Sequence, residues 1–453
     1  MTTVTQSLVV ATPRDRRLVQ PGWPLLALFL PFPLWWLLGI SHFVFILLAI
    51  PMAMELLRRR PVFTPHGFGW WLTFLVWAAA GIFVLWAEAP GTVQGGSLAR
   101  MIPFAYRGLW FLAITVVLLY VMNLSEQEMP SRRIYRLLAY MFLVTLVGGF
   151  AGILLPTLQF PSALELVANF PKTGFVYALI HPTLSEPSDF LGYVQSRPTA
   201  PFAYANAWGN NFGMFLPFFL LAWLGKDAGW RRRIAPLVLA LGLVPIAYSL
   251  NRGLWLGLGL GGLIFLVRLA TLGKLKTVMA AAGALGVVGG MFAVSPLYDT
   301  VTLRIETPHS DERRSAVAED VLELTWKSSP VLGFGSNREI QGSYASIAGG
   351  ETPDCKQCAA PPLGTQGFLW RLIFTTGLVG AALYLSFIAV QLKRHLGSPD
   401  PVSVMGCLCI ILSLIFFFVY DSLESPLFTL MIAIGLMNRR MLDGQQPLVE
   451  DRA

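Results

Sequence analysis

Apolar runs of about 20 residues recur along the whole chain, separated by polar or Gly/Pro-rich breaks, and this recurrence constrains the fold more than any other feature. At helical rise, ~20 apolar residues cross the hydrocarbon core of a bilayer. Twelve such runs lie near 22–39, 41–57, 67–87, 101–123, 134–155, 204–224, 234–250, 253–270, 277–294, 366–391, 402–420 and 424–438. The first two form a tight pair, and the fourth carries Arg107. Lipid offers no hydrogen bonds to an open backbone, so the runs are expected to be helices. The predicted fold is an all-α polytopic membrane protein with about 12 transmembrane helices. The bundle occupies residues 1–440, followed by a cytoplasmic tail at 441–453. Hydrophobic residues at 55%, charged residues at 13% and a mean hydropathy of +0.62 exclude a soluble domain of this length.

Lysine and arginine fix the expected orientation, because short cytoplasmic loops retain positive charge during insertion. Arg14, Arg16 and Arg17 precede the first run. Arg58 to Arg60, then Arg132, Arg133 and Arg136, then Lys226 with Arg231 to Arg233 occupy alternate loops, and Arg268, Lys274, Lys276, Lys393, Arg394, Arg439 and Arg440 continue the alternation. Both termini are therefore expected in the cytoplasm. The net charge of +8 is a topology signal and carries no implication of nucleic-acid binding. No cleavable signal peptide is expected, since the first run is followed at once by a second and lacks a small-residue cleavage site.

Positive charge on the outer side needs another reason. Arg100, Arg107, Lys172, Arg197, Arg252, Arg304, Arg313, Arg314, Lys327, Arg338, Lys356 and Arg371 fall there. Most lie in two long outer segments, 156–203 and 295–365, or at helix mouths beside them. Both segments carry apolar residues at helical spacing and are expected to fold over the outer face of the bundle. In the second, Val317, Val321, Leu324 and Leu322 form one expected apolar face, while Glu319, Asp320 and Glu323 form a wet one. Pro330 and the glycines after it then end that helix.

Cys355 and Cys358 form a CxxC pair in the outer loop. A loop-stapling disulfide, half of a zinc site and a redox motif are the three readings. The disulfide is expected, because no second Cys/His pair completes a tetrahedral site and no βαβ context surrounds the motif. Cys407 and Cys409 lie in a span and read as packing residues.

Across residues 190 to 390 several motifs together resemble the O-antigen ligase and polymerase superfamily of membrane glycosyltransferases. "RPTAPFAYANAWGNN" matches the family's arginine, proline and asparagine near a helix top through Arg197, Pro201 and Asn206. "NRGLWLGLGLGG" matches its outer Asn-Arg turn and Gly-rich span from Asn251 to Gly262. Arg314 or Arg313, a helix-length before Pro330, Gly333 and Gly335, matches the arginine preceding P-x-x-G-x-G, and Gly377 with Gly380 matches the closing G-x-x-G. The resemblance implies a GT-C-like bundle with a long extracytoplasmic loop between helices 9 and 10. It also implies transfer of a glycan from a polyprenyl (undecaprenyl) diphosphate carrier to a glycan, lipid or cell-wall acceptor at the outer face of a bacterial cytoplasmic membrane. One departure stands out: Gln366 and Gly367 occupy the positions of the family's His-Asn pair. Glutamine can orient a ligand by hydrogen bonds and cannot act as a base.

The chemistry supports arginine as the working residue. A lipid diphosphate brings two phosphates, and breaking the sugar–phosphate bond adds charge to the leaving group. A guanidinium is permanently charged and meets phosphate oxygens bidentately. No Asp-x-Asp pair occurs on the outer loops, so metal-independent, cofactor-free transfer is expected. Arg252, Arg314 and Gln366 are the candidate catalytic residues, and Arg197, Tyr204, Asn206, Arg313, Arg338 and Arg371 the candidate substrate-binding residues. Each has a plainer reading. Arg252 and Arg371 suit headgroup anchors, Arg313 and Arg314 suit local salt bridges with Asp311, Glu312 and Glu319, and Arg197 suits a linker held by Asn206 or Asn210. Tyr204 and Trp208 suit an interfacial aromatic belt. A lipid-linked glycan flippase that breaks no bond is the alternative function. It is disfavoured by polar groups collecting at the outer ends and by the absence of an evident half-to-half repeat.

Overall fold

The computed structural model describes residues 20–95, 97–168, 172, 174–188, 193–293, 295, 297–306, 309–341, 361–422 and 424–445. Cys355 and Cys358 lie outside the described residues, as does the side chain of Arg313. The chain is a helical bundle whose elements run α1 (Trp23–Phe29), α2 (Phe32–Leu37), α3 (Val44–Leu57), α4 (Phe68–Ala80), α5 (Ser97–Asn123), α6 (Ser131–Leu154), α7 (Ala163–Val167), α8 (Gly174–Ile180), β1 (Ser185–Ser188), β2 (Gln195–Pro198), α9 (Ala205–Leu224), α10 (Arg231–Tyr248), α11 (Arg252–Thr271), α12 (Leu275–Ala293), α13 (Leu297–Glu306), α14 (His309–Ser328), α15 (Phe368–Leu396), α16 (Pro401–Phe416) and α17 (Ser425–Gln445).

Among the described residues, four helices are long and apolar enough to cross a membrane: Leu98–Asn123, Ser131–Leu154, Arg252–Thr271 and Phe368–Leu396. Val44–Leu57, Phe68–Val84 and Pro401–Phe416 are shorter apolar helices. The first apolar run is divided at Leu30 and Pro31 into α1 and α2. The all-α expectation meets one exception. β1 and β2 form an antiparallel pair that sets Glu186 opposite Arg197, so the chain leading into Arg197 is a short strand.

Aromatic side chains fill the core. Trp71, Trp110, Trp208 and Tyr384 are completely buried, and Trp71 meets both Phe74 and Tyr384 with ring centroids near 5 Å. Trp208, expected in an interfacial belt, stacks on Phe212 and donates from Nε1 to the Thr145 carbonyl at 2.9 Å. The glycines of α11 have a packing purpose. A Cβ on Gly257 would run into the Phe416 ring, and one on Gly261 would lie 2.6 Å from Leu412. Glycines at i and i+4 thus open one face of α11 to α16.

One end of the bundle gathers the basic loops. Arg59 pairs with Glu128 at 2.8 Å, Arg132 with Asp227 at 3.6 Å, and Arg439 with Glu126 at 3.2 Å, while Arg268 donates to the Ser398 carbonyl at 3.4 Å. The opposite end carries the α2–α3 turn, the β-pair, the start of α11, α14 and the α16–α17 turn. There α14 buries Val317, Ala318, Val321 and Thr325, the i, i+4 stripe expected of it. Leu322, assigned to that apolar face, is 40% exposed, because its position points it away from the stripe.

Candidate functional site

Two arginine-centred clusters occupy the end opposite the basic loops. In the first, Arg197 is buried and held on three sides. Its Nε donates to the Ser249 carbonyl at 2.7 Å, Nη2 donates to Asn206 Oδ1 at 3.1 Å, and Nη1 pairs with Glu186 at 3.1 Å. Burial lowers its pKa and the nearby Arg314 lowers it further, against the pull of Glu186 and Tyr420. Tyr420 donates from its hydroxyl to Asn251 Oδ1 at 2.5 Å, and the same oxygen caps α11 through Leu254 N. Arg252 follows directly as the first residue of α11 and is half-buried. The sequence-predicted Arg197 and Arg314 therefore both lie within electrostatic reach of Tyr420, and Asn206 joins them through Arg197.

The remaining asparagines of the same stretch have a different task. Asn210 donates to Ser422 Oγ at 2.6 Å, and Asn211 accepts from Ser425 Oγ at 2.6 Å. Both amides thereby pin the α16–α17 turn, which carries two carboxylates.

The second cluster forms on that turn. Asp421 pairs with Arg371 Nη2 at 2.9 Å and accepts from the backbone N–H groups of Gln366 at 3.1 Å and Gly367 at 3.3 Å. Gln366 adopts a left-handed φ of 66°, a costly conformation for a residue with a Cβ. Its backbone, rather than its side chain, makes the contact the structure shows. Arg107 stands close enough to Arg371 and Asp421 to feel both charges, and donates to Asn337 Oδ1 at 2.9 Å. Arg371 is thus more than a headgroup anchor: it is 8% exposed and ion-paired.

Arg338, expected to touch substrate, belongs instead to the scaffold. Its guanidinium is occupied by the carbonyls of Phe334, Ser336, Asn337, Leu85 and Ala87 and by Ser336 Oγ. Burial and the adjacent Arg100 push its pKa down to about 10, against Glu88. The Pro-Gly-Gly stretch nearby is also structural. Gly377, with φ 70°, takes α15 out of helical geometry. There the Phe334 N–H donates to the Phe374 carbonyl at 2.8 Å, the Gly335 N–H to the Thr375 carbonyl at 3.0 Å, and the Leu378 N–H to the Pro330 carbonyl at 2.9 Å. The two glycine motifs are halves of one joint that fixes the end of α14 to α15 and places Asn337 against Arg107.

A third group was missed by sequence reasoning. His42 Nε2 pairs with Glu424 at 2.9 Å, with side chains 6% and 23% exposed. Glu424 lies within electrostatic reach of Tyr106 and Tyr204; Tyr106 also feels Arg371 and Tyr204 also feels Glu186. Burial, then Glu424 and Glu186, push the Tyr204 phenol up to about 12, so it remains a neutral hydrogen-bonding group. Asp421 and Glu424 had one available signal, carboxylates in a short turn between two apolar runs. Among the described residues, no group of three or more His, Cys, Asp or Glu is placed to hold a metal ion.

No protein-family model matches the chain, and no curated protein matches it.

Proposed function

We propose that the chain is a polytopic glycosyltransferase. In this reading it moves a glycan from a polyprenyl (undecaprenyl) diphosphate to an acceptor hydroxyl at the outer face of the bacterial cytoplasmic membrane, in the manner of O-antigen ligases and polymerases. The chain crosses the membrane twelve times, with α1 and α2 sharing one crossing and both termini inside. The observation that carries the reading is the gathering of Arg107, Arg197, Arg314 and Arg371 at the end opposite the basic loops. Arginines gathered at one end offer planar, permanently charged forks to a single ligand, and a dianionic diphosphate is the group that such forks meet bidentately.

In that site Arg371 and Arg107 flank one entrance and Arg314 and Arg252 another. Fixed guanidiniums stabilise the departing diphosphate without reorganising as charge develops. Asp421 holds Arg371 in place, and Asn337 holds Arg107. Tyr204, Asn206 and Arg197 shape the wall that faces the sugar.

The test is a transfer assay in proteoliposomes with lipid-linked glycan extracted from source cells lacking the chromosomal copy. Arg252→Ala and Arg314→Ala are expected to lose most turnover while remaining folded. Lysine is expected to rescue poorly, because an ammonium lacks the planar two-point contact. Full activity in both alanine variants, or movement of the intact lipid without bond cleavage, overturns the reading.

A further inference from the structure

We infer that Glu424 is the general base that takes the proton from the acceptor hydroxyl, with His42 as its positioning residue; this rests on the glycosyl-transfer reading above. The chemistry requires such a group. As the acceptor oxygen bonds to the anomeric carbon, the bond from that carbon to phosphate breaks, and the diphosphate lipid leaves with the electron pair. The acceptor's proton passes to Glu424 Oε1 and is released to solvent when the product departs. No oxidant, reductant or further reactant is needed.

Three observations point to Glu424 among the carboxylates at this end. Asp421 is already engaged by Arg371 and by two backbone N–H groups, and a carboxylate so hydrogen-bonded in its charged form is a poor base. Glu186 is held by Arg197, which braces the β-pair. Glu424 uses Oε2 for His42, and among the described residues its Oε1 accepts no hydrogen bond. It is also within electrostatic reach of Tyr106, which feels Arg371, and of Tyr204, which feels Glu186.

The positions of the partners fit the roles. His42 sits behind the acid, with Nδ1 3.3 Å from Ser41 Oγ. Its Nε2 fixes the carboxylate through Oε2 and leaves Oε1 out of the pair. Burial opposes charge on His42, but Glu424's pull and hydrogen bond outweigh it and raise its pKa. The titratable groups within electrostatic reach of Glu424 are His42 from the α2–α3 turn, Tyr106 from α5 and Tyr204 from the start of α9. The Glu165–His181 pair, at 3.0 Å, is a different case, because Glu165 closes the capping box of α7 with Ser162.

The experiment measures rate against pH in proteoliposomes, using the lipid-linked glycan that accumulates in the deletion strain, and measures donor binding separately. Glu424→Gln is expected to lower turnover at least ~100-fold, the scale of a general base, and to remove the acidic limb of the profile. Donor binding should stay within about twofold of wild type. Glu424→Asp should recover part of the rate. His42→Gln should lower turnover about tenfold with donor binding within about twofold of wild type, the split expected of a residue that acts by holding the carboxylate. Wild-type turnover in Glu424→Gln or in His42→Gln, or an unchanged acidic limb in Glu424→Gln, overturns the inference and leaves the transferase reading standing. If the wild-type protein leaves the lipid intact, the transferase reading falls, and this inference falls with it.

Discussion

Pro330 accepts a 2.9 Å hydrogen bond from the backbone N–H of Leu378, one residue after Gly377 breaks α15. A break in a membrane-embedded helix leaves backbone groups without partners, and the segment from Pro330 to Gly335 supplies them from another part of the chain. The chain that follows α14 is thereby fastened to the bundle by main chain, which holds Asn337 and Arg338 in fixed positions.

Gly377→Ala is expected to damage this joint. Its φ of 70° disfavours any Cβ, and the added carbon would collide with the Val331 carbonyl. A loss on the order of 3 kcal/mol follows from strain plus the disrupted hydrogen bonds. Thermal unfolding in detergent should show it as a lowered midpoint. An unchanged midpoint would mean that the joint contributes little.

The α11 glycines give a paired test on one helix. Gly257→Ala drives a methyl into Phe416 and is expected to cost ~1–3 kcal/mol by overpacking. Gly259 meets nothing within 4 Å, so Gly259→Ala should be neutral or add up to ~1 kcal/mol through helix propensity. Equal effects from the two substitutions would contradict close packing of α11 on α16.

Much of the bundle was legible in the sequence, because burial in lipid or in an apolar core leaves the same long apolar signature. The site was legible only in part. Arg197, Arg252, Arg314 and Arg371 were singled out because an arginine away from the basic loops runs against the charge rule, yet that rule says nothing about their partners. The Glu186–Arg197 pairing depends on strand register, and the α15 joint depends on backbone bonds between segments some forty residues apart. Neither leaves a local pattern. Asn210 was read as a holder of Arg197, whereas its partner Ser422, like Ser425, the partner of Asn211, is distant in sequence. His42 and Glu424 meet only when α3 and α17 are packed side by side against α5.

Breaking the Arg371–Asp421 pair should be asymmetric. Asp421→Ala leaves an arginine that is 8% exposed without its counter-ion, and removing one partner of a buried pair costs ~3–5 kcal/mol. Arg371→Ala leaves a carboxylate whose side chain is 34% exposed and still accepts two amide hydrogens, so about 1 kcal/mol is expected. The double variant should be more stable than the sum of the two losses implies, by ~1 kcal/mol or more. Strict additivity would show that the two charges do not couple.

Reporter fusions test the proposed orientation. Fusions after residues 175 and 345 are expected to report an extracytoplasmic position, and one after residue 230 a cytoplasmic one. The basis is the alternation of Lys and Arg, together with the gathering of Arg59, Arg132, Arg268 and Arg439 at one end. A cytoplasmic signal at 345 would put the arginine clusters on the side where no exported glycan is presented.

His42 gives the stability of the protein a defined pH dependence. Its folded pKa is raised above the ordinary value of 6.5, so the folded state binds a proton more tightly than the unfolded chain does. The stabilisation is fully present below the unfolded pKa and is lost as pH rises through the higher folded one. Wild-type protein in detergent should therefore lose stability across the window just above pH 6.5 to a degree that His42→Gln does not, with the two curves converging above it. Glu424→Gln removes the charge that raises the histidine and should flatten the same window, although His42 is still present. If the slope survives in both variants, another group titrates there and the ion pair contributes nothing to folding.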